Sequence, residues 1–228
     1  MSHPSFFSTI HKKLIVSCQA LENEPLHGSE IMAKMAKAAK EGGAVAIRSN
    51  SAIDVAAIKK QTGLPVIGLV KRDYPGSEVF ITATLNEVKE LLEVEPDVIA
   101  LDATIRQRPN GETLKELVSY IHEHSNTLVM ADIATKDDAE YAVSCGADML
   151  STTLSGYTAD SPKLEGPDFE LVEELCKSSK VPVIAEGRIN TPQDAKKMLE
   201  LGAWSIVVGS AITRPQLITK SFAEGIEK

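Results

Sequence analysis

The sequence is poor in the residues that metal sites and disulfide frameworks require. Its 228 residues include only five histidines and three cysteines, Cys18, Cys145 and Cys176. The cysteines share no CxxC spacing, so we expect neither a structural zinc site nor a disulfide framework, and a reducing compartment suits the chain. No histidine falls at a predicted strand end, and His122 and His124 lie on different sides of a predicted helix. We therefore expect no metal site.

Long apolar runs are also missing. Hydrophobic residues make up 43% of the chain and charged residues 25%, which is ordinary globular composition. The longest apolar stretches, at 14–16 and 206–208, fall far short of the ~18 residues that span a bilayer, and the N-terminal sequence MSHPSFFSTIHKK lacks a signal-peptide pattern. The net charge of −8 argues against a nucleic-acid surface, although it permits a local basic pocket for a small anion. We expect a soluble, cytoplasmic protein with no membrane or nucleic-acid partner.

What the sequence does contain is a regular series of short β-rich segments. Most of them are apolar at consecutive positions, as is typical of parallel strands buried on both faces. The eight segments are LIVSC (14–18), AVAIRS (44–49), PVIGLVK (65–71), DVIALDA (97–103), LVMADIA (128–134), ADMLSTT (147–153), PVIAEG (182–187) and WSIVVGS (204–210).

Helical patterns alternate with these segments. Leu114, Leu117, Val118 and Ile121 form one apolar stripe at helical spacing, and similar stripes occur near residues 85–92 and 169–176. Eight strand–helix units in 228 residues come close to the ~30 residues that each such unit needs. No linker divides the chain, and residues 18–30 lack the GxGxxG turn of an open doubly wound sheet. The pattern predicts a single α/β domain over residues 1–228, a closed (β/α)₈ barrel (TIM barrel).

In such barrels the functional side chains collect where the strands end. The predicted strand ends carry polar or charged groups that meet at one mouth. Asp102 and Asp132 are the weaker catalytic candidates among them and are expected to orient a lysine or sugar hydroxyls. The residues at the strand ends are Gln19, Arg48, Lys71, Asp102, Asp132, Thr152, Thr153, Glu186, Gly209 and Ser210.

The last two loops carry the pattern of a phosphate site. AEGRI (185–189) precedes a helix capped by Thr191, and VVGSAITRP (207–215) leads into small residues and a proline-led helix. Glycines let the backbone approach an anion, and helix N-termini favour negative charge. We expect backbone N–H groups and a guanidinium to hold a phosphorylated small molecule, although tight turns with surface arginines would give the same pattern. The residues involved are Gly187, Gly209, Ser210 and Ala211, with Arg214 or Arg188.

Lys71 and Glu186 are the leading candidates for the chemistry. Burial and nearby Arg48 would lower the pKa of Lys71, so that its neutral amine can act as a base or form a Schiff base. Glu186 lies four strands away, so the two groups can face opposite sides of one carbon, as an epimerisation requires. The competing interpretations are a lysine that extends to solvent and a Glu186 that forms a rim ion pair with Arg188. Tyr74, in the long loop 72–83, either gates the site or lies in a solvated turn.

Several segments together resemble the bacterial N-acylglucosamine-6-phosphate 2-epimerase (N-acetylmannosamine-6-phosphate 2-epimerase) family. The resemblance covers almost the whole chain in the expected order, and GLVKRDYPGSEVFIT is specific to that family. The matching segments are SCQA (17–20), AIRSN (46–50), GLVKRDYPGSEVFITAT (68–84), ALDAT (100–104), ADIAT (131–135), TLSGYT (153–158), AEGRI (185–189) and VVGSAITRP (207–215).

The resemblance implies a barrel of the ribulose-phosphate-binding type. It implies interconversion of N-acetyl-D-mannosamine 6-phosphate and N-acetyl-D-glucosamine 6-phosphate in sialic acid breakdown, without a cofactor or metal, by an enzyme that is often dimeric. Lys71 matches the catalytic lysine of the family and Glu186 its catalytic carboxylate. Gln19, Arg48 and Asp132 match residues that hold the sugar and its N-acetyl group or support the lysine.

Other functions fit parts of the same pattern. A Schiff-base aldolase would also use Lys71, on a phosphorylated sugar acid. A non-catalytic phosphosugar sensor would need only the phosphate loops. A metal-dependent pentulose-phosphate epimerase shares the barrel and those loops, but it requires histidines at strand ends.

Overall fold

In the computed structural model, which describes residues 4–226, eight parallel strands close into one barrel in the order of the chain. Each strand pairs with its sequence neighbours, and the last pairs with the first. The predicted (β/α)₈ barrel and all eight of its strands are therefore confirmed. The strands are β1 (Leu14–Cys18), β2 (Ala46–Asn50), β3 (Val66–Leu69), β4 (Val98–Asp102), β5 (Leu128–Asp132), β6 (Met149–Ser151), β7 (Val183–Glu186) and β8 (Ser205–Val208).

Helices follow the strands and form the outer layer. Most of them bury one apolar stripe; in the fifth helix this stripe is the predicted set from Leu114 to Ile121. The helices are α1 (Pro4–Ile10), α2 (Ser29–Glu41), α3 (Ala52–Thr62), α4 (Leu85–Leu92), α5 (Leu114–His124), α6 (Lys136–Ser144), α7 (Phe169–Ser178), α8 (Pro192–Glu200), α9 (Ser210–Thr213) and α10 (Pro215–Ile226).

The strands are buried on both faces, which explains their consecutive apolar residues. Ile15 and Ile67 pack into a cluster inside the barrel, whereas their neighbours Val16 and Val66 pack into a second cluster that includes the helices. Burial of each such side chain contributes roughly 1.5–3 kcal/mol. Because all eight strands run parallel in one closed barrel, their carboxyl ends meet at one mouth.

Polar caps define where the helices begin at that mouth. α4 starts with a capping box in which Thr84 and Glu87 each bond the other's backbone N–H, and Thr191 with Asp194 starts α8 in the same way. Such boxes satisfy N–H groups that lack partners within the helix. The predicted N-cap at Thr191 is confirmed.

The first helix closes the opposite end of the barrel. Phe6 and Ile10 of α1 belong to the same cluster as the barrel interior. The indole Nε1 of Trp204, just before β8, donates to the carbonyl of Phe7 at 3.0 Å, and the Lys12 N–H donates to the Trp204 carbonyl. The barrel therefore opens toward solvent at the carboxyl ends of its strands.

The last helix differs from the others because it has no buried residue. Leu217, Phe222 and Ile226 on α10 are exposed, Phe222 by 74%. No helix within residues 4–226 is long and apolar enough to cross a membrane.

Candidate active site

A cavity of about 490 Å³ lies at the carboxyl ends of the strands. Ten of the eleven predicted site residues line it, and the eleventh, Asp132, lies fully buried beneath Arg48. The ten are Gln19, Arg48, Lys71, Glu186, Gly187, Arg188, Gly209, Ser210, Ala211 and Arg214. The topology thus brings side chains from both ends of the sequence to one place.

Lys71 is held rigidly, although it lies beyond the end of β3. It forms an isolated antiparallel bridge with Ile81, and its N–H donates to Asn50 Oδ1 at 2.8 Å. Burial, and then the charge of Arg48, lower the pKa of Lys71 below its ordinary value. Among residues 4–226 its amine has no hydrogen-bond or ion-pair partner, and Lys71 lines the cavity.

Arg48 contacts both carboxyl groups of the site, Asp132 and Glu186. It donates to Asp132 Oδ1 at 2.9 Å and to Asp132 Oδ2, and its Nη1 lies 2.9 Å from Glu186 Oε2. Burial opposes the charged form of Arg48, but Asp132 and Glu186 outweigh it and raise its pKa above the ordinary value. The guanidinium is therefore a fixed positive charge beneath the cavity floor.

Glu186 ends β7 with only one of its carboxyl oxygens engaged. Oε2 receives contacts from Arg48, Thr153 and Ser151, whereas Oε1 has no hydrogen bond among the described residues. Burial raises the pKa of Glu186; Arg48 opposes this effect and Asp132 adds to it. A buried carboxyl with a raised pKa is suited to act as an acid near neutral pH.

The loops that follow β7 and β8 have the backbone geometry of an anion site. Gly187 has φ +107°, and Gly209 stands before α9 without a side-chain cap. The first N–H groups of a helix have no partner within it, so those of Ser210 and Ala211 are free to meet an anion. A Cβ on Gly209 would lie 3.4 Å from Ser17 Cβ, which explains the need for a small residue there.

Arg214 reaches this anion site already oriented by Glu24. Its Nε and Nη2 lie 2.7 and 3.0 Å from the two carboxylate oxygens of Glu24, and its Nη1 donates to Ser210 Oγ at 2.9 Å. Arg214 lowers the pKa of Glu24 below its ordinary value, so the carboxylate stays charged. The guanidinium of Arg214 is thus fixed at the cavity wall, with its Nη1 directed toward α9.

Arg188 mainly holds the loop that follows β6. Its Nε and Nη1 donate to the carbonyls of Gly166 and Ser155 at 2.7 and 2.6 Å, and its guanidinium lies 5.4 Å from the ring centre of Tyr157. The competing interpretation of Glu186 as a rim partner of Arg188 is therefore wrong, because Glu186 pairs with Arg48.

Two further expectations are corrected. Asp102 does not orient Lys71: it accepts from Thr104 and pairs with Arg106 at 2.7 Å. Tyr74 does not gate the cavity, because its hydroxyl donates to Glu87 Oε1 at 2.7 Å, away from the cavity wall.

Some residues of the site carry no signal in the pattern of strands and helices. Glu24, Asn50 and Tyr157 lie outside the apolar patterns and gain their places only through tertiary contacts. Thr153 ends a predicted strand, which is a signal for a mouth residue but not for its bonds to two carboxyl groups.

His122, His124 and Cys18 do not line this cavity. His122 Nε2 contacts Asp148 at 2.9 Å, and His124 stacks on Tyr120. Burial raises the pKa of Cys18 to about 12, so it is an inert core thiol. Within the described range, no three His, Cys, Asp or Glu side chains are grouped to hold a metal ion.

Comparison with known proteins gives consistent relatives over most of the chain. A family model described as "Putative N-acetylmannosamine-6-phosphate epimerase" matches residues 32–228. Two relatives are each described as "Putative N-acetylmannosamine-6-phosphate 2-epimerase". The one from Clostridioides difficile strain 630 is 61% identical, over 94% of this chain and 96% of its own. The one from Enterobacter sp. strain 638 is 56% identical, over 94% of this chain and 93% of its own.

Solved structures point the same way. The N-acetylmannosamine-6-phosphate 2-epimerase from Clostridium perfringens superposes with a TM-score of 0.96 at 54% identity, covering 98% of this chain and 97% of the other. Thiamine phosphate pyrophosphorylase from Pyrococcus furiosus shares only the fold, with a TM-score of 0.64 at 22% identity over 92% of each chain. The chain therefore belongs to the N-acetylmannosamine-6-phosphate epimerase family.

Proposed function

We propose that this protein interconverts N-acetyl-D-mannosamine 6-phosphate and N-acetyl-D-glucosamine 6-phosphate by removing and returning the proton at C2. The observation that carries the proposal is the joint placement of Lys71 and Glu186. Lys71 lies just beyond β3 and Glu186 ends β7. These strands lie opposite each other in an eight-stranded barrel, and both residues line one cavity with the proposed anion site. A phosphate held at that site would present a sugar carbon between the two groups.

The chemistry requires an open-chain sugar, because the C2 proton is acidic only beside an aldehyde. The neutral amine of Lys71 removes this proton, and the cationic Arg48 together with neighbouring donors stabilises the enediol-like anion. The lowered pKa of Lys71 and the raised pKa of Glu186 support these roles.

The proposal includes two alternative assignments of the proton transfers to Lys71 and Glu186. In one, Glu186 returns a proton to the other face of C2. In the other, Glu186 opens the ring at the C5 hydroxyl while Lys71 makes both transfers at C2. Gln19 lines the cavity beside Arg48, which supports contact with the sugar or its N-acetyl group. Asp132 bonds Arg48 rather than facing the cavity, which supports an indirect role.

The phosphate is proposed to bind the N–H groups of Gly187, Gly209, Ser210 and Ala211, with Arg214 as the charged partner. The fixed orientation of Arg214 supports this assignment, since a preformed fork loses little freedom on binding. Arg188 contributes by holding the neighbouring loop at the cavity wall.

We further propose that the reaction needs no metal or cofactor and that it serves the breakdown of sialic acid in the cytoplasm. We also propose that the single-domain chain forms a homodimer. The exposed apolar side chains of α10 support an interface there. Sedimentation or light scattering tests the dimer, and a monomer at micromolar concentration would contradict it.

The test is a proton NMR time course of N-acetylmannosamine 6-phosphate with enzyme in D₂O and EDTA. We expect N-acetylglucosamine 6-phosphate labelled with deuterium at C2. No product and no loss of the C2 proton would refute the epimerase. Trapping of substrate on Lys71 by borohydride would then point to an aldolase, and binding without exchange to a sensor.

Two variants test the proposed roles of Lys71 and Arg214. Lys71→Ala is expected to abolish turnover and leave phosphate-anchored binding largely intact, so near-normal turnover would remove Lys71 as the base. Arg214→Ala is expected mainly to raise KM, because its charge is remote from C2. An unchanged KM would contradict its place in the phosphate site.

A further inference from the structure

The hydroxyl group of Thr153 lies between the two carboxyl groups of the site. Its Oγ1 is 2.9 Å from Asp132 Oδ1 and 2.9 Å from Glu186 Oε2. A third contact joins it to Ser151 Oγ at 2.8 Å. Thr153 also lines the cavity, whereas Asp132 and Ser151 are fully buried.

These three contacts require one proton more than the hydroxyl groups supply. A hydroxyl donates one hydrogen bond and accepts two. The proton of Thr153 fills one contact, and that of Ser151 fills a second, shared with the longer contact of 3.2 Å from Ser151 Oγ to Glu186 Oε2. The third contact joins Thr153 to a carboxyl oxygen, so it needs a proton on that carboxyl. Without it, two oxygen atoms would face each other at 2.9 Å without a hydrogen between them.

The extra proton belongs on Glu186 in the resting site. Asp132 receives both arms of the Arg48 guanidinium, which favours its carboxylate form. Glu186 receives one contact from Arg48. The charged or titratable groups facing the pair are Arg48 from β2 and Lys71 beyond β3.

We propose that Thr153 is a positioning residue that lets Glu186 and Asp132 share one proton. Glu186 Oε2–H donates to Thr153 Oγ1, and Thr153 O–H donates to Asp132 Oδ1. When Glu186 must act as a base, its proton passes to Thr153 as the hydroxyl proton passes to Asp132. The O–H bond at Glu186 Oε2 breaks and a new one forms on Asp132, while Oε1 of Glu186 takes the proton that the substrate loses. The negative charge of Asp132 therefore ends on the substrate, and no proton leaves the site.

This arrangement deepens the proposed function and rests on it. An epimerase runs in both directions, so a carboxyl group that donates a proton in one direction must accept it in the other. The unbonded Oε1 of Glu186 is the atom left for the substrate. Oε2 and Thr153 connect Glu186 to Asp132, which can hold the shared proton out of contact with the substrate.

The kinetic test compares Thr153→Val, which removes the hydroxyl at nearly the same volume, with Thr153→Ser, which keeps it. We expect Thr153→Val to lower kcat about 100-fold with an altered pH profile, while KM changes less than about threefold. Thr153→Ser should restore most of kcat. Thr62→Val is the matched control, because it makes the same change at a threonine that lies at the end of α3 and donates to the Ile58 carbonyl.

A second measurement does not depend on activity. Infrared titration of the substrate-free enzyme should show the carbonyl stretch of a protonated carboxyl at neutral pH. This band should disappear in Glu186→Gln and shift in Thr153→Val but not in Thr62→Val.

The outcomes separate the two proposals. If the wild-type protein epimerises and Thr153→Val keeps kcat and the pH profile, proton sharing is wrong and the epimerase stands. Absence of the infrared band in the wild type would also overturn proton sharing. If the band behaves as expected but no C2 exchange occurs, the shared proton stands and the epimerase fails.

Discussion

Replacement of Arg48 by methionine is expected to destabilise the fold strongly. Arg48 is 1% exposed and neutralises Asp132, which is fully buried, and Glu186, whose side chain is 12% exposed. Loss of one partner leaves buried charge without compensation, which typically costs about 3–5 kcal/mol in the free energy of unfolding. For a chain of this size that corresponds to a fall in Tm of about 6–20 °C.

The pH dependence of this loss follows from the same contacts. In Arg48→Met the buried carboxyl pair holds a proton more tightly in the folded state than in the unfolded one. The variant therefore gains stability relative to the wild type as pH falls. The difference between their free energies of unfolding should be larger at pH 8 than at pH 5. Adding Asp132→Asn removes one of the charges and should recover about 1–3 kcal/mol.

Urea unfolding of the four proteins of this double-mutant cycle measures the coupling directly. Lys136→Met serves as a control, because Lys136 and Glu174 form an ion pair with 43% and 50% of their side chains exposed, and exposed ion pairs contribute little to stability. A loss below about 1 kcal/mol for Arg48→Met at both pH values, or no recovery in the double variant, would refute the reasoning.

Three other predictions concern separate parts of the molecule. Gly156→Ala would place a Cβ 2.4 Å from Arg188 Nη1 at φ +81°, so we expect a displaced loop, seen as faster proteolysis near residue 156; unchanged cleavage would contradict this. The pKa of Lys71 is lowered and its neutral form is the proposed base, so kcat/KM should rise with pH through a pKa below that of an ordinary lysine. A flat profile would exclude that role. Asp148 raises the pKa of His122, so the ion pair stabilises the fold at low pH and is lost as pH rises through the folded pKa. His122→Ala should therefore cost up to about 1 kcal/mol below pH 6 and less at pH 9. An equal cost at both pH values would count against it.

The strands were predictable because a strand buried on both faces must be apolar at consecutive positions. The prediction misjudged only boundaries. The segment 65–71 reads as one strand through Lys71, but β3 ends at Leu69. Beyond it the chain pairs antiparallel with Ile81 instead of with the next barrel strand. Residues 66–69 pair in parallel and Lys71 pairs antiparallel, but both are extended, so the apolar pattern does not distinguish them.

The site was predictable where strand ends alone determine position. Lys71, Glu186 and the last two loops reach the cavity because topology puts them there. The partners of the charged groups were not predictable. Glu24 holds Arg214 across 190 positions of the sequence, and Arg188 turns to the carbonyl of Gly166. Such contacts depend on side-chain reach in the folded barrel and leave no local pattern.

The contact between α1 and Trp204 has a consequence for how the chain folds. It joins residues 197 positions apart, and the pair Glu24–Arg214 joins residues 190 apart. Contacts of such separation form late, because the closure entropy of the intervening chain must be overcome first. On a ribosome, the anion site would be assembled only after β8 emerges and the ring closes. Binding of inorganic phosphate at the proposed site during refolding would thus report the final step of barrel closure.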